Sequence, residues 1–136
     1  MRLLARMVIA GIFLFVCVAA TQASLAIKIN EPKTPGSKVI VKLELQSTYS
    51  QKIESVRAAI FLMDDQGKVV GQDTRWIIGG TKDKPALAPG AKTTYNFVIA
   101  TDKPFTKTKL VVTRIVLEGG KLGNALTDVQ IQDAPK

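Results

Sequence analysis

From Ser37 to Ser47 the chain reads S-K-V-I-V-K-L-E-L-Q-S, with Val39, Val41, Leu43 and Leu45 at every second position and Lys42, Glu44 and Gln46 between them. That is the period of a strand with one buried face. Ile53 to Asp64 is long enough for three helical turns, and Ala58-Ala59 would tolerate a helix. Two features favour a strand instead. Val56, Ala58, Ile60 and Leu62 alternate cleanly, and Asp64-Asp65-Gln66-Gly67 forms a turn that leads at once into Lys68-Val69-Val70, which together predict a hairpin. The returning strand runs from Lys68 to about Ile78 and stops at Gly79-Gly80.

A polar loop, Thr81 to Ala86, then leads to Leu87-Ala88-Pro89-Gly90. Here Pro presets φ at the first central position of a type II turn and Gly admits the left-handed conformation at the second. Lys92 to Ala100 places Tyr95, Phe97 and Ile99 on one side of a further strand. Lys109 to Glu118 is rich in β-branched residues with apolar groups on both faces, the pattern of a central strand. Glu118-Gly119-Gly120-Lys121 turns it, Leu122 to Gln132 gives a weaker last strand through Leu126, Val129 and Ile131, and Leu25 to Asn30 gives a short first one.

Seven strands joined by frequent turns, with no amphipathic helix, predict an all-β fold: an immunoglobulin-like antiparallel β-sandwich, with a small closed barrel as the alternative. The inward set comprises the alternating residues of the first two long strands together with Tyr95, Phe97, Ile99, Val111, Ile115 and Leu117.

A targeting segment precedes this domain. Arg2 and Arg6 open the chain, an apolar run extends from Met7 to Ala20, and Thr21-Gln22-Ala23 supplies small residues for a signal peptidase. The run of about 14 residues is shorter than the roughly 20 that cross a bilayer as a helix. A cleaved signal over residues 1–23 is therefore expected, with cleavage after Ala26 as a second option, a β-sandwich domain over 27–136, and an uncleaved signal anchor as the rival. Cys17, the single cysteine, lies inside the apolar run and is preceded by Val16, where a lipoprotein signal requires a small residue. The mature chain would thus lack any thiol, and with it any disulfide or thiolate metal site. The expected location is the bacterial periplasm, or secretion beyond it.

Charge and composition narrow the function classes. The 136 residues contain 19 Lys+Arg, 11 Asp+Glu and no His. Without Arg2 and Arg6 there remain 17 basic against 11 acidic residues, a net charge of +6. No Arg-rich stripe interleaved with aromatics accompanies this charge, so no nucleic-acid partner is expected, and at most a weak contact with anionic membrane surfaces. Absence of histidine removes the commonest general base and metal ligand. Neither a catalytic residue, a metal nor a cofactor is expected, and the chain is not expected to be an enzyme.

Individual candidates fit this reading. Asp64 and Asp65 are adjacent on a strand end, hence aimed to opposite sides, and lack the repeated acidic spacing of a calcium loop. Gly119-Gly120-Lys121-Leu122-Gly123 lacks the spacing of a phosphate loop and opens no helix. Arg75 and the single Trp76 are the more informative pair. Trp76 either packs in the core or stands at a rim, where Arg75, Lys82 and Lys84 would join it in an aromatic and cationic site for a small ligand or glycan. Ala59, Phe61 and Met63 lie opposite Ile60 and Leu62 on their strand. A sandwich buries one face of each sheet, so this second apolar face is expected to meet a partner, another envelope protein or a second copy of the chain.

The succession Ile60-Phe61-Leu62-Met63-Asp64, Asp65-Gln66-Gly67, Lys68-Val69-Val70, then Leu87-Ala88-Pro89-Gly90 and Tyr95-Asn96-Phe97 resembles the FxLYD-type domains of bacterial envelope proteins. The resemblance covers about Ser37 to Leu117; Ser47-Thr48-Tyr49 stands where the family tends to place an Asn. It implies an immunoglobulin-like sandwich in the envelope and brings no catalytic residues. The expected function is that of an exported, non-catalytic domain for protein-protein interaction.

Overall fold

The computed structural model describes residues 24–133, so the segment read as a signal peptide lies outside the described residues. Seven strands follow one another: β1 (Leu25–Ile29), β2 (Lys38–Ser47), β3 (Ile53–Met63), β4 (Val69–Ile78), β5 (Lys92–Ala100), β6 (Lys107–Leu117) and β7 (Val129–Gln132). They form two sheets, one ordered β5-β2-β1-β7 and one ordered β4-β3-β6, which make a β-sandwich of immunoglobulin-like type. Pairing is antiparallel except that β7 runs parallel to β1. The expected antiparallel sandwich of seven strands is thus present, with this one parallel pair at its border. After a 3-10 turn at Glu118–Gly120 the chain still pairs with β6, through Leu117 N to Lys121 O (2.6 Å) and Gly123 N to Ile115 O (2.9 Å). It then crosses to the other sheet, and a strand that changes sheets can approach β1 from the opposite direction.

The core lies between the sheets. Leu25, Ile27 and Ile29 of β1, Val41, Leu43 and Leu45 of β2, and Phe97 of β5 face Val56, Ala58, Ile60 and Leu62 of β3, all essentially without solvent exposure. Alternation alone places these residues correctly, because each strand aims successive side chains to opposite faces. Three expectations need correction. Val111 is 37% exposed, whereas Leu110 and Val112 are buried. Thr113 is an extra residue between the Arg57↔Arg114 and Ala58↔Val112 pairs, so the inward set of β6 switches from even to odd numbers at this bulge. Second, β6 is an edge strand of its sheet and β3 the central one. Third, the last strand comprises only Val129–Gln132, and Leu126 is 92% exposed in the preceding loop.

Turn chemistry follows the sequence closely. Asp64 Oδ1 accepts the amides of Gln66 and Lys68, each at 2.9 Å, which accounts for an acidic residue at that position. The Pro89-Gly90 turn closes through Ala91 N to Ala88 O at 3.1 Å.

The crossing segment is held by a knot of hydrogen bonds. Asn124 Oδ1 accepts the amides of Leu126 (3.0 Å) and Thr127 (3.2 Å). Asp128 Oδ2 accepts the Asn124 amide (3.0 Å) and the hydroxyl of the buried Tyr49 (2.7 Å). Burial and this carboxylate push the Tyr49 phenol above its ordinary value. Desolvation opposes ionisation of Asp128, but the bonds from Tyr49, Asn124 and Thr127 outweigh it and hold the carboxyl below its ordinary range.

The signs set a pH window. Asp128 contributes stability above the unfolded carboxyl value of about 3.9 and loses it as pH falls through the lower folded value. Tyr49 contributes below about pH 10 and loses stability as pH rises toward its raised folded value. Tyr49→Phe is expected to cost about 1.5–3 kcal/mol near neutral pH, the worth of a hydrogen bond to a charged acceptor. In urea unfolding, the gap between wild type and variant should narrow as pH falls below the unfolded carboxyl value of about 3.9. A gap that stays constant as the carboxyl groups become protonated would contradict the assignment.

Candidate functional site

The sequence leaves β3 apolar on two faces, and its pairing shows what the outer face becomes. Read across β6, β3 and β4, the outward rows are Arg114–Arg57–Trp76, Val111–Ala59–Thr74, Lys109–Phe61–Gln72 and Lys107–Met63–Val69. Ala59, Phe61 and Met63, expected to form one face, do so. Ala59 is buried within its row, while Phe61 and Met63 are half-buried. No Asp or Glu stands in any of the four rows, which carry four cations. Among the described residues the single ion pair joins Arg75 to Asp73, so none of these four has a carboxylate partner there.

Trp76 stands at the rim. It is half-buried, and the Arg57 guanidinium carbon lies 5.5 Å from its ring centroid, a cation–π contact. Two bulges bracket this row. Ile77 is the extra residue of β4 between the Val56↔Ile78 and Arg57↔Trp76 pairs, and Thr113 is the extra residue of β6 on the other side of Arg57. Bulges of this kind bend a strand and re-aim its side chains. Thr113 Oγ1 ties its bulge to β3 by donating to the Arg57 carbonyl at 3.1 Å.

Arg75 does not join Trp76. It pairs in register with Ala58, an inward position, and at the edge of the sandwich its Nε lies 2.9 Å from Asp73 Oδ2. Opposite them, Tyr95 meets Phe97 edge to face at 5.1 Å. Lys84 Nζ sits 4.7 Å from the Tyr95 ring centroid and donates to the Trp76 carbonyl at 2.6 Å. Burial raises the Tyr95 phenol, with Arg75 pulling it down and Asp73 pushing it up. This group closes the mouth of the sandwich between β4 and β5. Lys82 is exposed in the loop beyond it. The four residues read as one site thus divide: Trp76 faces outward, Arg75 and Lys84 bind edge groups, and Lys82 faces solvent.

The sequence reading missed Arg57, Arg114, Lys107 and Lys109. Arg57 shares the odd parity of Ala59, Phe61 and Met63 and could have been added on that ground. Arg114 could not, because the Thr113 bulge sets its register. Elsewhere, the outer face of β5-β2-β1-β7 holds an open groove of about 640 Å³ around Ala26, with Lys28, Glu44, Gln46, Thr94 and Gln130 among its lining. Among the described residues, no cluster of three or more His, Cys, Asp or Glu could hold a metal ion, and no helix is long and apolar enough to cross a membrane.

Gly80 tests the placement of Trp76. Its φ is +79°, and an added Cβ would stand 2.6 Å from Trp76 Cδ2 and 2.8 Å from Trp76 Cβ. Gly80→Ala is expected to displace the indole and shift its fluorescence, at a cost of about 1–3 kcal/mol. Gly36→Ala shares the positive φ (+67°) but meets nothing within 4 Å, so it should leave the emission unchanged. Equal spectra for both variants would contradict this packing.

No protein-family model matches the chain, and no curated protein matches it. Solved structures do. IrmA from Escherichia coli is 15% identical, the match covering 85% of this chain and 96% of that one, with a TM-score of 0.53. The putative ApaA protein from Bordetella pertussis is also 15% identical, over 75% of this chain and 83% of that one, with a TM-score of 0.46. At these identities the likeness to IrmA is one of fold.

Proposed function

We propose that this chain is an exported, non-catalytic contact domain of the bacterial envelope, one that docks another protein on the outer face of β4-β3-β6. The observation that carries the reading is the composition of that face: Phe61, Met63, Val111 and Trp76 interleaved with four cations, on a sheet whose other face already fills the core. Solvated sheet faces usually alternate to polar residues. Apolar groups ringed by charge are the usual make-up of a docking surface. The resemblance to FxLYD-type domains belongs to the same proposal and agrees with it in compartment. A photo-crosslinking amino acid at position 61 or 63 should capture a protein in intact cells, whereas one at position 42, on the other sheet, should not. Equal capture from both faces, or none from either, would contradict the proposal.

Export by a cleaved signal is part of this reading, and the cut after Ala23 is the better supported of the two. Leu25 is fully buried, its amide donates to the Asp128 carbonyl at 2.8 Å, and the Ser24 amide donates to Thr48 Oγ1 at 2.9 Å. Cleavage after Ala26 would remove two of the five residues of β1. N-terminal sequencing of the periplasmic protein is expected to begin at Ser24. A start at Ile27 or Met1 would refute the cut.

A second reading, glycan binding, is favoured by the groove around Ala26, where the amides of Gln46 and Gln130 and the Glu44 carboxylate suit sugar hydroxyls.

A further inference from the structure

Arg57 and Arg114 are direct cross-strand partners on the outer face of β4-β3-β6. Like charges directly opposite each other destabilise a sheet. No carboxylate among the described residues pairs with either. The two bulges that bracket the row, Ile77 on β4 and Thr113 on β6, set this register, and the Trp76 ring lies against Arg57 on the far side. The molecule therefore holds two arginines in directly opposed register without a carboxylate partner, one of them stacked on an aromatic ring, at the level where both neighbours of β3 carry a bulge.

We infer that Arg57, Arg114 and Trp76 form an anion-recognition site that takes a carboxylate side chain from an extended, acidic segment of the partner protein. The inference rests on the proposed docking face and names the chemistry of its partner. Guanidinium groups present planar forks that match a carboxylate with two parallel hydrogen bonds, so one carboxylate between Arg57 and Arg114 both pairs with them and cancels their repulsion. The same face favours a polypeptide. From Arg57 the outward positions of β3 continue as Ala59, Phe61 and Met63, at the spacing of alternate residues on an extended chain. Lys109 and Lys107 flank the last two of these on β6. A segment laid between β3 and β6, with alternate side chains turned to either side, would set its acidic groups against Arg114, Lys109 and Lys107 of β6 and its apolar groups against Ala59, Phe61 and Met63 of β3.

The test uses the purified protein and a fluorescein-labelled peptide of alternating Glu and Val, followed by anisotropy, with the corresponding Lys-Val peptide, polygalacturonate and phosphatidylglycerol vesicles as comparison probes. The Glu-Val peptide is expected to bind at low salt and to weaken as salt is raised. Arg114→Gln, an exposed site, should weaken it about tenfold, as loss of a charged hydrogen bond does. Arg57→Gln should do the same and also alter Trp76 emission, whereas Lys38→Gln on the other sheet should change neither. No binding of the Glu-Val peptide, or binding indifferent to Arg114→Gln, overturns the inference. So does binding of polygalacturonate or vesicles without the peptide, which would assign the site to an acidic glycan or a membrane surface. Cross-linking at position 61 separates the two proposals. Capture that persists in the Arg57→Gln/Arg114→Gln double variant leaves the docking face standing and overturns the acidic partner. Arginine-dependent peptide binding without capture supports the anion site and removes the docking proposal.

Discussion

A pleated strand can hide only every second side chain, and this constraint governs the whole molecule. In a two-layer sandwich the even-numbered residues of β3 and the odd-numbered residues of β1, β2 and β5 fill the space between the sheets. Beyond the irregularity that lets the odd-numbered Ile53 reach the core, residues of opposite parity then stand on the outer faces. On β2 those positions carry Ile40, Lys42, Glu44 and Gln46, so apart from Ile40 and its partner Val98 at one end this part of the outer face is polar as expected. On β3 they carry Ala59, Phe61 and Met63, and the departure from polar alternation singles out one face of one sheet.

Bulges adjust this constraint locally, and they fall at informative places. Ile77 on β4 and Thr113 on β6 each add one residue beside Arg57, so both neighbours of the central strand shift phase at the same level. Without the Thr113 bulge, Arg114 would share the inward phase of Leu110 and Val112. With it, Arg114 stands outward opposite Arg57, and Ile115 and Leu117 still reach the core. One inserted residue thus serves packing and surface chemistry together.

The same facts explain how much could be read from the sequence. Strands β2, β3 and β5, the Asp64 turn and the Pro89-Gly90 turn were legible because their signals are local: parity within ten residues, or a turn residue at a fixed offset. The second apolar face of β3 was legible for the same reason. The phase of β6 was not, because V-V-T-R-I-V does not mark which residue is extra, so parity counted back from Ile115 and Leu117 puts Val111 in the core, and apolar residues on both faces give an edge strand the pattern of a central one. The crossing of β7 to β1 was hidden as well, since it rests on contacts such as Tyr49 to Asp128, 79 positions apart in sequence. The candidate site was half legible. Its apolar members follow from parity, as does the division of Arg75 from Trp76 as neighbours on one strand, but the Arg57–Arg114 row exists only once register and bulge are known.

Edges bear on how such a domain makes contact. Four strands, β5, β7, β4 and β6, border the two sheets, and exposed edges invite strand addition by other chains. Each border is blunted differently. β7 is only four residues long, β4 carries the inward-facing pair Asp73 and Arg75, and β5 is capped by Lys84 over Tyr95. β6 presents Lys107, Lys109 and Arg114 and is twisted by its bulge. Charged residues, short strands and bulges are the means by which sheets refuse edge-to-edge pairing. With its borders protected in this way, the outer face of β4-β3-β6, where apolar groups stand among cations, is the surface on which the proposed docking would take place. The residues of β6 that defend its edge, Lys107, Lys109 and Arg114, are the cations that stand beside Met63, Phe61 and Arg57, so under the proposed reading the side chains that oppose strand addition are also those that would select an acidic partner.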